Sequence, residues 1–268
     1  MVMIFSDMQG KYSGWGRAGW ASRIEGLSAP TQSGGWSVKE RTDGRCLGLI
    51  AGLGVGATIH YYQELVKEHA TRGCVPNLVM VHADVTRVLR DAAAGDTHGL
   101  AEYLSGLIER LHRAGADVVA IPAITPHICV AELMKLSPIP LVNLPEEILR
   151  EIGVRKLERV VLFGTRMTME SDMFGQLGGV EVVKATEEEI DFIHETYVDL
   201  VRIGHGTDAQ FQELRRIAHR LCEREDVQAI VLAGTELSLL FNESNTDFPH
   251  IDGARVHIQA ILRELFSA

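Results

Sequence analysis

Residues 118–127 read VVAIPAITPH, and residues 229–236 read AIVLAGTE. Each stretch is an apolar run that ends in small residues and a threonine. This pattern is typical of a buried parallel strand that meets a loop at its carboxyl end, where open α/β sheets bind their ligands. Because the pattern occurs once in each part of the chain, we predict two junctions that face each other across a substrate.

The chain from residue 46 onward alternates short runs rich in Val, Ile and Leu with longer amphipathic stretches. This alternation predicts βα units with parallel sheets. Strands are predicted for residues 46–51, 78–82, 117–122, 159–163, 180–184 and 228–233. Helices are predicted for residues 58–68, 100–114, 130–135, 146–152, 187–203 and 208–224, with a last helix around residues 254–266.

Two prolines, Pro138 and Pro140, interrupt helix formation just before a new helix–strand cycle begins. We therefore divide the chain into a first α/β half over residues 46–142 and a second over residues 143–245. Residues 1–45 form an N-terminal extension that contains Trp15, Trp20 and Trp36. The extension is either an arm anchored by its tryptophans on the body or on a neighbouring subunit, or a loose segment.

Composition excludes several classes of protein. With 268 residues, 46% of them apolar and 6% aromatic, the chain resembles a soluble α/β protein. The formal net charge of -10 opposes nucleic-acid binding. No apolar run approaches the roughly 20 residues of a membrane helix, and no signal peptide is recognisable, so we expect no membrane partner and a cytoplasmic location. The four scattered cysteines predict reduced thiols and no metal site.

Residues 52–57 read GLGVGA, between a predicted strand and a predicted helix. This spacing fits the dinucleotide fingerprint, whose backbone amides bind an anion at a helix amino terminus. The acidic residue expected about 20 positions later is poorly placed, because Asp84 comes after that point and follows a histidine. The turn is therefore compatible with a carboxylate, with a nucleotide or with a purely structural role.

The two junctions closely resemble the active-site segments of the aspartate/glutamate racemase superfamily, usually written Cys-Asn-Thr and Cys-Thr-Glu. The superfamily also has a similar glycine-rich turn, matched here by Gly52, Gly54, Thr58, Tyr61 and Tyr62. The resemblance implies two similar three-layer α/β/α half-domains with parallel sheets, related by a pseudo-twofold axis, and an active site in the cleft between them. It further implies catalysis without a cofactor, a homodimer, and a C-terminal helix over residues 246–268 that returns to the first half.

Ala123 and Gly234 stand where the superfamily has its two cysteines. Those thiols remove and return the proton next to a carboxylate, which alanine and glycine cannot do. The standard two-cysteine racemisation is therefore excluded. Some relatives, the arylmalonate decarboxylases, keep a single thiol.

The resemblance implies a cofactor-independent isomerase or lyase-type enzyme that acts at the carbon α to the carboxylate of a small amino acid or dicarboxylate. One alternative is an inactive relative that binds a small carboxylate. Another is a nucleotide-dependent enzyme that uses the turn of Gly52, Gly54 and Ala57.

The remaining polar groups supply the candidate site. His127 and Glu236 are the acid/base candidates, with Thr125 as a third catalytic residue. The alternatives are that His127 caps a helix or satisfies a local carbonyl, and that Glu236 orients a loop. Arg166 either pairs with a second carboxylate or is solvated. The backbone amides that follow Ala123 and Gly234 could bind a carboxylate or an enediolate, as an oxyanion hole does. Together with the resemblance, this assigns substrate contacts to Gly54, Thr58, Ala123, Ile124, Thr165, Thr168, Gly234 and Thr235.

Overall fold

Two four-stranded parallel sheets, each with helices packed against it, form the framework of the protein. The structure is a computed structural model and describes residues 44–267. The α/β fold with parallel sheets that the sequence predicts is confirmed. The predicted N-terminal extension, with its three tryptophans, lies outside the described residues except for residues 44 and 45.

The first half has its strands in the spatial order β2-β1-β3-β4. A 3-10 turn, Thr125–Cys129, follows the third strand. In chain order the elements are β1 (Leu47–Ala51), α1 (Val55–Thr71), β2 (Leu78–His82), α2 (Val85–Ala93), α3 (Thr97–Arg113), β3 (Val118–Ala120), α4 (Val130–Leu136) and β4 (Leu141–Val142).

The second half repeats this arrangement, with the spatial order β6-β5-β7-β8. A single turn with positive φ angles, Asp172–Gly175, precedes the sixth strand, and a 3-10 turn, Thr235–Leu239, follows the seventh. The elements are α5 (Leu144–Val154), β5 (Arg159–Phe163), α6 (Arg166–Glu170), β6 (Glu181–Val182), α7 (Glu187–Ile203), α8 (Asp208–Glu225), β7 (Ala229–Leu232), β8 (His250–Asp252) and α9 (Gly253–Phe266).

All six predicted strands are present, and two further strands complete the sheets. Strands β4 and β8 have only two and three residues, too few to produce a readable pattern. Strand β8 lies within the range 246–268 that was assigned to the C-terminal helix. The helix begins later, at Gly253, because the Asp252 side chain caps it by accepting from the Arg255 N–H at 3.0 Å.

Helix α9 follows the last strand of the second sheet but packs on the first sheet. Its buried residues Ala254, Ile258 and Ile261 share one apolar cluster with Leu65 of α1 and Val118 of β3. Their spacing of four and three residues places them on one face of the helix. The carboxyl end of the chain therefore fastens the second half to the first.

The loops that follow the strands interlock across the two halves. Ile124 from the first half packs in the core of the second half, and Met167 packs against the core of the first. The Gln176 side-chain amide donates to the His127 backbone carbonyl at 3.1 Å. These contacts hold the carboxyl ends of the two sheets against each other.

Within residues 44–267, no helix combines the length and the apolar character that crossing a membrane requires.

Candidate functional site

The central strands of both sheets end at one place in the molecule. In the first half, β1 leads into the turn at Gly52–Gly54 and β3 leads to residues 122–125; in the second half, β5 leads to Gly164 and β7 to Gly234. The Thr235 hydroxyl lies 3.3 Å from the Pro122 carbonyl oxygen. The structure therefore brings the two sequence junctions into direct contact.

His127 is fully buried, and the protein backbone occupies both of its ring nitrogens. Nδ1 lies 2.9 Å from the Ala123 carbonyl oxygen, which only accepts, so Nδ1 carries the proton. Nε2 then accepts from the backbone N–H of Leu144 at 3.4 Å, at the start of α5. Burial lowers the pKa of His127 to about 3, so the ring stays neutral. This arrangement matches the alternative in which His127 satisfies a local carbonyl, but the helix start that it contacts is that of α5 and not of α4, which follows it in the chain.

Glu236 is also fully buried, and its side chain reaches the turn at Gly54 in the first half. Its Oε2 accepts from the Tyr197 hydroxyl at 2.7 Å and lies 3.1 Å from the Thr235 hydroxyl. Its Oε1 has no hydrogen-bond partner of ordinary geometry among the described residues. Burial raises the pKa of the Glu236 carboxyl, although these hydroxyl groups oppose the shift. A buried carboxyl with a raised pKa is a candidate proton carrier.

Tyr197 fills the space next to Gly234. A Cβ atom added at Gly234 would lie 2.3 Å from Cε2 and 2.6 Å from Cδ2 of the Tyr197 ring. Real Cβ atoms do not approach other atoms this closely, so a cysteine does not fit at residue 234 beside this tyrosine. The Tyr197 hydroxyl donates to the Glu236 carboxyl, so the two side chains form one buried polar pair beside Gly234.

A second buried pair, Tyr61 and His257, lies on the side of the first half. His257 Nε2 is 3.0 Å from the Val142 carbonyl oxygen and must donate to it, so its Nδ1 accepts from the Tyr61 hydroxyl at 3.1 Å. Burial lowers the pKa of His257 to about 4 and raises that of Tyr61. Burial is the main cause of the raised pKa of Tyr61, and the negative charges of Asp252 and Glu236 add to it.

The sequence alone gives no sign of a role for Tyr197 or His257. Both lie on inward helix faces, between Ile193 and Leu200 in α7 and between Ala254 and Ile258 in α9. Helical spacing identifies them as buried residues, but it does not reveal which groups they contact.

The threonine candidates mostly make local hydrogen bonds. The Thr58 hydroxyl donates to the Gly54 carbonyl at 2.9 Å, within the first turn of α1. The Thr165 hydroxyl caps α6 by accepting from the Thr168 N–H at 3.1 Å, and the two hydroxyl oxygens are 2.9 Å apart. Thr125 is half-buried at the start of its 3-10 turn.

The junction backbone itself has little contact with solvent. Ala123, Ile124, Gly234 and Thr235 are all buried where the two halves meet. Ala123 and Gly234 carry no group that could exchange a proton. The proton-carrying side chains at the junction are therefore those of the surrounding residues.

Two other features lie outside this centre. The Arg166 guanidinium forms ion pairs with Glu170, Glu187 and Asp191, all in its own half. The four cysteines are unpaired, and burial raises the pKa of Cys129 to about 12. Within the described part of the chain, no cluster of three or more His, Cys, Asp or Glu side chains could hold a metal ion.

The chain resembles known proteins over most of its length. The broad specificity amino-acid racemase of Bacillus subtilis is 22% identical over 220 residues, which cover 78% of this chain and 92% of that protein. A solved structure from Yersinia pestis, described as a candidate Asp/Glu racemase, has a TM-score of 0.70 at 25% identity, over 81% of this chain and 96% of its own. An aspartate racemase homologue from Pyrococcus horikoshii has a TM-score of 0.69 at 23% identity, over 82% and 98%.

The sequence model of the Asp/Glu/Hydantoin racemase family matches residues 50–261, which is most of the chain. The match includes strands β2 to β8, the last two residues of β1, and all four strand ends described above. This chain belongs to the Asp/Glu/Hydantoin racemase family.

Proposed function

We propose that this protein catalyses proton transfer without a cofactor at the carbon α to the carboxylate of a small amino acid or dicarboxylate, from one side only. The proton carrier in this proposal is Glu236, assisted by Tyr197. The observation that carries the proposal is the buried Glu236 carboxyl with its raised pKa, hydrogen-bonded to Tyr197 beside Thr235 where the two halves meet. A carboxyl whose pKa is raised takes and returns a proton more readily than an ordinary carboxyl does.

Among the residues described at the junction we identify no second proton carrier, and this supports one-sided chemistry. Inversion at the α carbon needs an acid on the face opposite the base. On the side of the first half, Ala123 has a methyl group, and His127 is kept neutral by burial, with both ring nitrogens bonded to the backbone. The proposed reactions are therefore α-proton exchange with retention, decarboxylation or elimination, and they exclude two-base racemisation.

The backbone of the two junctions is the proposed binding surface for the developing negative charge. Ile124 immediately precedes the first 3-10 turn and Thr235 begins the second, and in this proposal their backbone N–H groups face the substrate. Such donors stabilise an enediolate as an oxyanion hole does. In this scheme His127 is a positioning residue, because it fixes the loop of Ala123 to the start of α5.

Solvent exchange tests the proposal directly. Purified protein is incubated in deuterated water with aspartate, glutamate or a substituted malonate, and loss of the α-proton signal or formation of product is followed by NMR. We expect exchange or product with at least one compound. The Glu236→Gln variant should lose it while keeping its circular dichroism spectrum, and Glu223→Gln, at an exposed position of α8, should retain it.

No exchange and no product with any of these compounds would contradict the proposal. Full activity in Glu236→Gln would reject Glu236 as the carrier even if the protein is an enzyme.

A second candidate function is a relative that binds a small carboxylate without chemistry. The burial of both junctions and the occupied ring nitrogens of His127 favour it. In that case the protein has no catalytic activity, and Glu236→Gln changes only its affinity for a carboxylate. A nucleotide-dependent enzyme has less support, because the Asp84 carboxylate is already bound to the backbone N–H groups of Thr86 and Arg87. Saturable thermal stabilisation by NAD or NADP would support it.

We also propose a homodimer as the assembly, on the basis of the family. Sedimentation velocity of the full chain would measure it.

A further inference from the structure

The amino terminus of helix α1 has the features of an anion site. The helix is 17 residues long, and its N-cap residue, Gly54, has no side chain that could cap it. The first backbone N–H groups of any helix have no acceptor within the helix. Together with the helix dipole, they favour a negative group at this position.

The carboxylate of Glu236, from the other half, lies against this helix end. A Cβ atom at Gly54 would be 1.8 Å from Glu236 Oε1 and 2.9 Å from Cδ, so the carboxylate occupies the space that glycine leaves open. The Cγ atom of Glu236 lies 4.0 Å from the corresponding position on Gly56. Gly54 has φ 154, which also disfavours any residue with a side chain.

The contact between Glu236 and the start of α1 is close, but it leaves one carboxylate oxygen without a hydrogen bond. Oε1 is buried and has no hydrogen-bond partner of ordinary geometry among the described residues. The backbone N–H of Ala57, in the first turn of α1, nevertheless favours the charged form of this carboxylate. A buried carboxylate oxygen without a hydrogen-bond partner is costly, so this contact is easily exchanged for a better one.

We propose that the turn from Gly52 to Ala57 is a carboxylate-binding site that the side chain of Glu236 fills in this structure, and that the carboxylate of a small ligand takes its place. Glu236 then competes with the ligand for this site, and its side chain also links the second half to the first. Displacement frees its carboxyl from the helix end while Tyr197 still holds it beside the junction. The inference rests on the proposed function for the class of ligand, but its test measures binding alone.

The first experiment refills the site from solution. In Glu236→Ala the side-chain carboxylate is removed, and acetate can replace it at the helix end. We expect acetate to raise the melting temperature of Glu236→Ala saturably, compared with chloride at equal ionic strength. The wild-type protein, whose site is filled, should respond less at the same acetate concentration. An equal response in the two proteins, no response in the variant, or a response to phosphate without one to acetate would overturn the inference.

The second experiment covers the case in which Glu236→Ala does not fold. The Glu236→Gln side chain keeps the shape but loses the charge that the helix end favours, so it should compete less with succinate in calorimetric titrations. A charge at a helix terminus contributes about 0.3–1 kcal/mol, which corresponds to binding about two- to fivefold tighter in Glu236→Gln. Glu223→Gln, which removes the same charge from an exposed site, should leave the succinate Kd unchanged.

Weaker or unchanged succinate binding in Glu236→Gln would show that Glu236 is not a competitor, and would overturn the inference. The two proposals fail separately. Acetate binding without any proton exchange would support the carboxylate-binding site and reject the catalytic role of Glu236. Proton exchange that depends on Glu236, with no effect of acetate, would support the catalytic role and reject the carboxylate-binding site.

Discussion

The contact between Gly234 and Tyr197 makes a quantitative prediction. We consider the substitution Gly234→Ala, which adds one methyl group to the junction. The new Cβ would lie 2.3 Å, 2.6 Å and 3.0 Å from three atoms of the Tyr197 ring. The ring cannot move freely, because it is buried in the core of the second half and its hydroxyl is bonded to Glu236 at 2.7 Å.

The magnitude follows from two opposing effects. Overpacking of this kind costs about 1–3 kcal/mol in a well-packed core. The backbone at Gly234 has φ -73 and ψ 117, which suits alanine. If Tyr197 is first replaced by alanine, Gly234→Ala should therefore stabilise by about 0.4–1 kcal/mol through the unfolded chain. The two substitutions should be coupled by about 1.4–4 kcal/mol, the sum of these ranges.

A double-mutant cycle measures this coupling. The four proteins are Gly234→Ala, Tyr197→Ala, the double variant and wild type, unfolded by urea and followed by far-UV circular dichroism. All three tryptophans lie within residues 15–36, so fluorescence would report on the N-terminal segment instead. Gly106→Ala in α3 is the matched control, since its new Cβ meets no atom within 4 Å and should show no coupling to Tyr197.

Additive free energies in this cycle would refute the reasoning, because they would mean that the ring does not occupy the space beside Gly234. The same result would remove the steric argument against a cysteine at that position.

Three further predictions concern the buried polar groups around the junction. The pKa values of His127 and His257 are lowered to about 3 and about 4 in the folded protein, so the unfolded chain binds their protons first and stability is lost as pH falls below about 6.5. At about 1.36 kcal/mol per pKa unit, protonation of His257 alone should lower the free energy of unfolding by about 3 kcal/mol by pH 4. In His257→Phe, the urea midpoint should therefore depend less on pH. Tyr61→Phe leaves His257 Nδ1 without its donor and should lower the free energy of unfolding by about 1–3 kcal/mol, whereas an unchanged urea midpoint would exclude this hydrogen bond. Gly54→Ala should destabilise by more than about 1 kcal/mol, and less so when Glu236→Ala is also present, as paired thermal melts would reveal.

Local pattern accounts for most of the fold that could be predicted. The strand ending at Ala120 and the strand ending at Leu232 are apolar runs followed by small residues, and both lie where predicted. Helix α7 begins where Thr186 and Glu189 form a capping box, which is visible in four consecutive residues. Strands β4 and β8 were not predicted, because their own short sequences carry no strand pattern. They are strands because they pair with β3 and β7.

The site was only partly predictable. Sequence identified Glu236 and His127 as candidates, but not that the ring nitrogens of His127 would both bond to backbone atoms. Nor could it show that Tyr197, 37 residues before Gly234, would fill the space beside that glycine. Both facts depend on contacts between residues far apart in the chain, which no local spacing encodes.

The amino-acid sequence alone determined the parallel α/β halves, the glycine turn and the two junctions that carry alanine and glycine, because hydrophobic period and residue type act over a few neighbouring positions. Only the tertiary structure decided that the Glu236 carboxyl lies at the amino terminus of α1 and that the Tyr61–His257 pair is closed within the interior. These arrangements join two halves of the chain, and their geometry is set by the packing of the halves against each other.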